Sequence, residues 1–96
     1  MREISHLIAG QSTKGDAQRS ADIFNPSTGE VQAKVWLGEV SDVDRAVKAA
    51  QKVQPEWGNT NPQRRARVMF KFKELLEANM DELAALLSSE HGKVIA

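Results

Sequence analysis

Apolar residues recur at helical spacing through the C-terminal third of the chain, with one break near Asn79. Asn61 can cap the first of these two stretches, and Pro62 suits the first position of a helix, where its missing N–H costs nothing. Gly92 is typical of the residue that follows the last helical turn. The pattern therefore predicts two consecutive helices, over about 62–78 and 80–91.

A shorter apolar stripe predicts a helix before these two. Ser41-Asp42-Val43-Asp44 has the pattern of a capping box, with Asp in place of the usual Glu, and apolar residues then recur on one face as far as Val53. Proline lacks a backbone donor, so Pro55 is expected to stop this helix. We predict a helix over about 42–54, with Trp57 free to fold back on its apolar face.

Upstream of Gly38, the pattern changes to the period of two that is typical of strands. Val31, Ala33, Val35 and Leu37 alternate with Gln32, Lys34 and Trp36. This run follows the turn sequence Asn-Pro-Ser-Thr-Gly-Glu at 25–30, and a short run at 21–24 precedes the turn. The two runs predict an antiparallel hairpin.

A short apolar run at 7–9 predicts a first strand, whereas the polar segment 11–20 predicts a turn or loop. Strands are thus expected within about 5–37, followed by the three helices. The sequence predicts a single α+β segment over 1–96, in the order of three strands and three helices.

Composition narrows the classes of function. Lys plus Arg and Asp plus Glu are 13 each, so net charge favours neither a nucleic-acid binder nor an acidic scaffold. The chain contains no cysteine, which excludes disulfides, thiolate metal sites and a thiol nucleophile from these 96 residues. We find no apolar run of transmembrane length and no targeting segment, and the expected location is the cytoplasm.

Two sets of residues are candidates for binding chemistry. His6 and His91 could meet in a metal site with a carboxylate, but the favoured interpretation is a surface His6 in a frayed terminus and a His91 near a helix C-terminus. Arg64, Arg67 and Lys71 share one side of a helix and could bind an anion. A solvated face is the favoured interpretation of these cations, since acidic residues follow closely along the same helix.

Four motifs in order resemble the N-terminal part of the aldehyde dehydrogenases. They are the Phe-Asn-Pro-Ser-Thr-Gly-Glu-Val turn at 24–31, the Ser-Asp-Val-Asp-Arg-Ala-Val-Lys-Ala-Ala stretch from Ser41 with its following Trp57, the two helices at 62–87, and Glu-His-Gly-Lys at 90–93. The stretch Pro-Gln-Arg-Arg-Ala-Arg-Val-Met-Phe at 62–70, followed by Glu-His-Gly-Lys, is most similar to the CoA-acylating methylmalonate-semialdehyde dehydrogenase branch. One departure is Leu-Ile-Ala-Gly-Gln-Ser-Thr at 7–13, which lacks the Trp of that family's first hairpin and is expected to weaken the second half of the hairpin.

The resemblance implies the N-terminal part of an NAD-binding domain. It also implies NAD-dependent oxidation of a semialdehyde through a cysteine thioester that is passed to CoA, in a homo-oligomeric enzyme. That family places its nucleophile and most NAD contacts beyond the region matched by this chain, so no catalytic or cofactor-binding residue is assigned here, and no bound cofactor is expected for the fragment. The resemblance does imply a monovalent-cation site with a backbone carbonyl of Ile23 or Phe24 and the carboxylate of Glu90 as ligands.

Three functions remain open on this basis. The first is an N-terminal fragment of such a dehydrogenase, inactive by itself. The second is a small interaction module that docks its apolar helix face on a partner. The third is an anion or nucleic-acid binder using the basic residues, against which the zero net charge counts. With few strands to cover its helices, the isolated chain is expected to be marginally stable or self-associated.

Overall fold

A computed structural model describes residues 1–95, which form five strands and three helices. The strands are β1 (Arg2–Ile4), β2 (His6–Ile8), β3 (Gln11–Thr13), β4 (Arg19–Phe24) and β5 (Val31–Leu37). The helices are α1 (Val40–Gly58), α2 (Pro62–Ala78) and α3 (Met80–His91). The α+β class is confirmed, with all described strands before the helices, but the predicted number of three strands is wrong.

The larger sheet has the strand order β1-β5-β4. β4 and β5 form the antiparallel hairpin that the Asn25–Glu30 turn predicts. β1 adds to the other side of β5 in parallel, with Arg2 opposite Ala33 and Ile4 opposite Val35. β5 is therefore the central strand, and Ala33 at its middle is fully buried.

A separate two-stranded hairpin joins β2 to β3, so the prediction of a loop at 11–20 is wrong for its first residues. It is also wrong for its last two, because β4 begins at Arg19. Ile8 pairs with Gln11, and the two residues between them, Ala9 and Gly10, have φ values of 52° and 76°. Positive φ at both central residues is what the tightest hairpin turn requires, and its twist matches that of the strands. The turn closes this hairpin without the Trp that the family commonly has there.

Helix α1 is longer at both ends than predicted. It begins after Glu39, because the Glu39 N–H donates to the Asp42 carboxylate at 2.9 Å and Asp42 closes the first turn from within the helix. It also continues past Pro55 to Gly58. Proline removes only one bond in the last turn, and the Pro55 carbonyl still accepts from the Asn59 N–H at 3.0 Å.

The ends of α2 and α3 agree with the caps read from the sequence. Asn61 Oδ1 accepts from the Gln63 N–H at 2.8 Å, and Pro62 is the first helical residue. Gly92 has a left-handed φ of 87° and donates its N–H to the Ser88 carbonyl at 2.8 Å. These local signals define both helices.

Little of the chain is buried. Within the described residues the buried side chains are those of Ala17, Ala33 and Asp42, and most large apolar side chains are exposed. The radius of gyration is 17.1 Å, compared with roughly 12 Å for a compact domain of this length. The strands and the start of α1 make one packed region. The apolar faces of α2 and α3 are largely uncovered, and α3 meets the strands at its last turn.

Candidate functional site

A β-bulge in the β4–β5 hairpin is the structural basis of the candidate site. Ile23 pairs with Ala33 and Phe24 pairs with Val31, so Gln32 between them has no partner residue on β4. A bulge of this kind bends the strand and re-aims a side chain. The Gln32 side chain leaves the simple alternation of β5 that the sequence suggests.

Gln32 instead reaches α3. Its Nε2 donates to the Ser89 carbonyl oxygen at 2.9 Å and lies 3.4 Å from the Phe24 carbonyl oxygen. Nearby, Gly92 approaches Pro26 so closely that a Cβ atom on Gly92 would lie 3.3 Å from Pro26 Cγ. The Asn-Pro turn and the Glu-His-Gly-Lys segment, far apart in sequence, are therefore neighbours.

The predicted cation ligands lie on the two segments that meet here. Ile23 is half-buried in β4, and Glu90 is exposed in the last turn of α3. Within residues 1–95 no group of three or more His, Cys, Asp or Glu residues is placed to hold a metal ion. The proposed site would draw on carbonyl oxygens as well as Glu90, and it stays a prediction.

The two histidines do not join a metal cluster in the described residues. His91 ends α3, where a cation suits the helix dipole, as the simpler interpretation predicts. His6 is half-buried in β2, and its Nε2 is enclosed without a hydrogen-bond partner in that part of the chain. The expectation of a surface His6 is therefore wrong, and Gly38 lies close to the ring, since a Cβ atom there would be 3.5 Å from His6 Nε2.

A polar network that sequence reasoning missed ties the segment before β4 to the start of α1. The Asp42 carboxylate accepts from the backbone N–H of Asp16 at 2.9 Å, in addition to that of Glu39, and pairs with the Arg45 guanidinium. These N–H groups hold the pKa of Asp42 below its ordinary value, and the Asp16 N–H has the largest effect. Arg45 also lowers this pKa, whereas burial raises it. The Ser41 hydroxyl donates to the Asp16 carboxylate at 2.7 Å. The network fixes the fold locally.

The basic residues of α2 lie on an exposed helix face. Arg64, Arg67 and Lys71 are exposed, and Lys71 Nζ is 3.5 Å from a carboxylate oxygen of Glu74. Arg65 is instead used structurally, since its Nε donates to the Thr60 carbonyl oxygen at 3.1 Å. The arrangement matches a solvated, charge-compensated face.

The apolar faces of the helices form open surfaces. Between α2 and α3 lies an open groove of about 390 Å³, lined mainly by Phe72, Leu75, Leu76 and Leu83. Residues of α1 and the β2–β3 hairpin line a second groove of about 600 Å³. These surfaces are suited to packing against further protein. In the described residues no helix has the length and apolar content needed to cross a bilayer.

Comparisons with known proteins agree with the order of these elements. The sequence profile of the aldehyde dehydrogenase family matches residues 13–96. Malonate-semialdehyde dehydrogenase of Pseudomonas aeruginosa is 45% identical over 95 residues, covering 99% of this chain and 19% of that protein. The corresponding protein of Halalkalibacterium halodurans is 41% identical over 91 residues, covering 95% of this chain and 19% of that protein.

Solved structures that match this chain are also aldehyde dehydrogenases. A Sinorhizobium meliloti protein described as a methylmalonate-semialdehyde dehydrogenase, solved in complex with NAD, superposes with a TM-score of 0.95 at 53% identity. The match covers 99% of this chain and 19% of that one. An aldehyde dehydrogenase of Bartonella henselae gives a TM-score of 0.94 at 29% identity, over 99% of this chain and 20% of that one. The chain thus spans about a fifth of the length of the relatives it matches, and it belongs to the aldehyde dehydrogenase family.

Proposed function

We propose that this chain is part of the NAD-binding domain of a CoA-acylating malonate- or methylmalonate-semialdehyde dehydrogenase. The observation that carries the proposal is the match along nearly the whole chain to malonate-semialdehyde dehydrogenases, together with the NAD complex of the Sinorhizobium meliloti protein. The substrate would be a small semialdehyde, NAD would accept the hydride, and CoA would take the acyl group. The complete enzyme would be a cytoplasmic homo-oligomer that uses neither nucleic acid nor membrane.

The chain's own contribution to this activity would be structural. It has no cysteine and so supplies no thiol for a covalent acyl intermediate. Its apolar helix faces, with Phe72 53% and Leu75 50% exposed, would pack against the remainder of the enzyme. The Ile23 carbonyl and the Glu90 carboxylate would add ligands to a monovalent-cation site that joins β4 to α3. We expect the chain alone to be inactive.

A chimaera tests this proposal. Residues 1–96 would replace the matching segment of the Sinorhizobium meliloti protein, to which they are 53% identical. We expect the chimaera to form NADH and acyl-CoA in equal amounts from malonate semialdehyde, NAD and CoA, whereas the isolated chain and the host lacking the segment form neither. A soluble chimaera that binds NAD but forms no acyl-CoA would contradict the proposal.

The exposed faces also favour a second function, a free-standing interaction module that docks its apolar helix stripe on a partner. The same chimaera distinguishes the two. An interaction module adapted to another partner would not restore the host, and the isolated chain would instead give a cooperative, monomeric melt on its own.

A further inference from the structure

We propose that Gln32 is a positioning residue whose side-chain amide fixes the last turn of α3, and with it the segment 90–93, against the end of β4. This inference deepens the proposed cation site, because Gln32 joins the two segments that would carry its ligands. The hydrogen bonds of Gln32 themselves require no cation.

The bulge gives Gln32 its direction. Because Ile23 pairs with Ala33 and Phe24 with Val31, Gln32 is the extra residue of β5 and lies beside the end of β4. Both of its partners, Phe24 at 3.4 Å and Ser89 at 2.9 Å, present backbone carbonyl oxygens. Only the NH₂ end of the amide can donate to such partners, and it has two hydrogens to give.

Ser89 is a residue whose carbonyl needs a partner from outside the helix. The last four carbonyl groups of a helix have no intrahelical donor. In α3 the Gly92 N–H satisfies the Ser88 carbonyl at 2.8 Å, and Gln32 satisfies the next one, that of Ser89. A strand residue 57 positions earlier therefore contributes to the C-terminal cap of α3.

This bond is the specific link between α3 and the sheet. Within residues 1–95 no other hydrogen bond or ion pair joins α3 to a strand, and the adjoining contact is the close approach of Gly92 to Pro26. The apolar residues of α3 are only partly covered, since Leu83 and Leu87 are 40% and 58% exposed and Leu86 is half-buried. The Gln32 amide is thus the directional contact that positions the segment 90–93, beside the packing of Gly92 against Pro26.

Hydrogen exchange measured by NMR on the 96-residue chain tests the proposal. The reporter is the Gly92 N–H, in the parent chain and in Gln32→Met, which keeps the length of the side chain but cannot donate. Loss of one such bond predicts exchange roughly threefold to tenfold faster at Gly92. Gln51→Met, at an exposed position of α1, is the matched control and should leave Gly92 unchanged. Unchanged amide protection in β4 shows that each variant remains folded.

The same samples in KCl, NaCl and choline chloride at equal ionic strength separate this proposal from the cation site. Equal protection of Gly92 in the three salts, with a loss in Gln32→Met, supports Gln32 and rejects the cation site in this chain. Higher protection in KCl or NaCl, with a loss in Gln32→Met in every salt, supports both. Three results overturn the proposal. Gly92 is equally protected in Gln32→Met and the parent, Gly92 is unprotected in the parent, or the protection of Gly92 in the parent disappears in choline chloride.

Discussion

The start of α1 buries a charged side chain, whereas the middle of α2 leaves apolar side chains exposed. Asp42 in the first turn of α1 is a charged side chain with only 3% of its surface exposed, and two backbone N–H groups and Arg45 surround its carboxylate. Phe72 and Leu75 on α2 are apolar side chains that remain half exposed. In this chain a carboxylate is better buried than a phenylalanine.

The difference separates two kinds of stabilisation. The polar contacts of Asp42 are directional and lie within the chain, so they define the local geometry of the described residues. Burial of apolar surface contributes about 25 cal/mol per Å², and α2 and α3 receive only part of this contribution within residues 1–95. The strand region is therefore specified by its own contacts, and the stability of α2 and α3 depends on surfaces outside them.

The largest expected effect comes from Gly15, which lies against the Asp42 network. Gly15 has a φ of 60°, and a Cβ atom there would overlap the Asp42 carboxylate and lie 2.9 Å from Arg45 Nη2. Gly15→Ala should therefore displace Asp42 and destabilise the strand region by on the order of 3 kcal/mol. Urea unfolding followed by circular dichroism measures this loss.

Gly29→Ala is the matched control for this variant. Gly29 also has a positive φ, of 75°, but nothing lies within 4 Å of its added Cβ. The free energy of unfolding of Gly29→Ala should therefore fall only by the cost of the left-handed backbone conformation, about 1–2 kcal/mol. Equal losses in the two variants would show that the Asp42 network does not specify the strand region.

The next effect is on the acid stability of the same region. The pKa of Asp42 is lowered in the folded chain, mainly by the Asp16 and Glu39 N–H groups. Its stabilisation is thus fully present above the ordinary carboxyl pKa of about 4 and is lost as pH falls through the lower folded value. Asp42→Asn should unfold at lower urea near neutral pH, with a shallower loss of stability below about pH 4. An unchanged dependence on pH in the variant would contradict the role of this carboxylate.

Sequence patterns predicted the helices where their signals are local. Asn61, Pro62 and Gly92 each act within a few residues of the helix end, and the structure has the caps they predict. The predicted bounds of α1 were wrong because the N-cap is Glu39 rather than Ser41, and because Pro55 is tolerated in the last turn. The contact of Asp42 with Asp16 was missed because it spans 26 positions, which no local pattern contains. The parallel pairing of β1 with β5 was missed for the same reason.

Local sequence patterns also failed to predict how the candidate site is assembled. The resemblance named Ile23, Phe24 and Glu90, and the structure brings the segments that carry them together through Gln32. In the alternating pattern of β5, Gln32 reads as an ordinary polar residue. Its role depends on a bulge, and a bulge is defined by the register of two strands rather than by the residues of one.

The smallest effect on stability is expected on the apolar face of α2. Leu75→Ala should change the free energy of unfolding by less than about 0.5 kcal/mol, because Leu75 is 50% exposed beside the open groove between α2 and α3. A buried leucine would lose about 2–5 kcal/mol on the same substitution. Val35→Ala in the central strand is the control, and its free energy of unfolding should fall by more, about 1 kcal/mol. Thermal melts by circular dichroism give both values.

The same face should control self-association. Uncovered apolar surface favours contacts between copies, so the midpoint of the parent melt should rise with protein concentration, and sedimentation should detect oligomers. Phe72→Ser, which makes an exposed apolar position polar, should reduce both effects without lowering the midpoint of the dilute chain. A parent chain that melts sharply as a monomer at every concentration would mean that the exposed face of α2 costs little in water. The contrast between the strand region and the helices would then be one of geometry and not of stability.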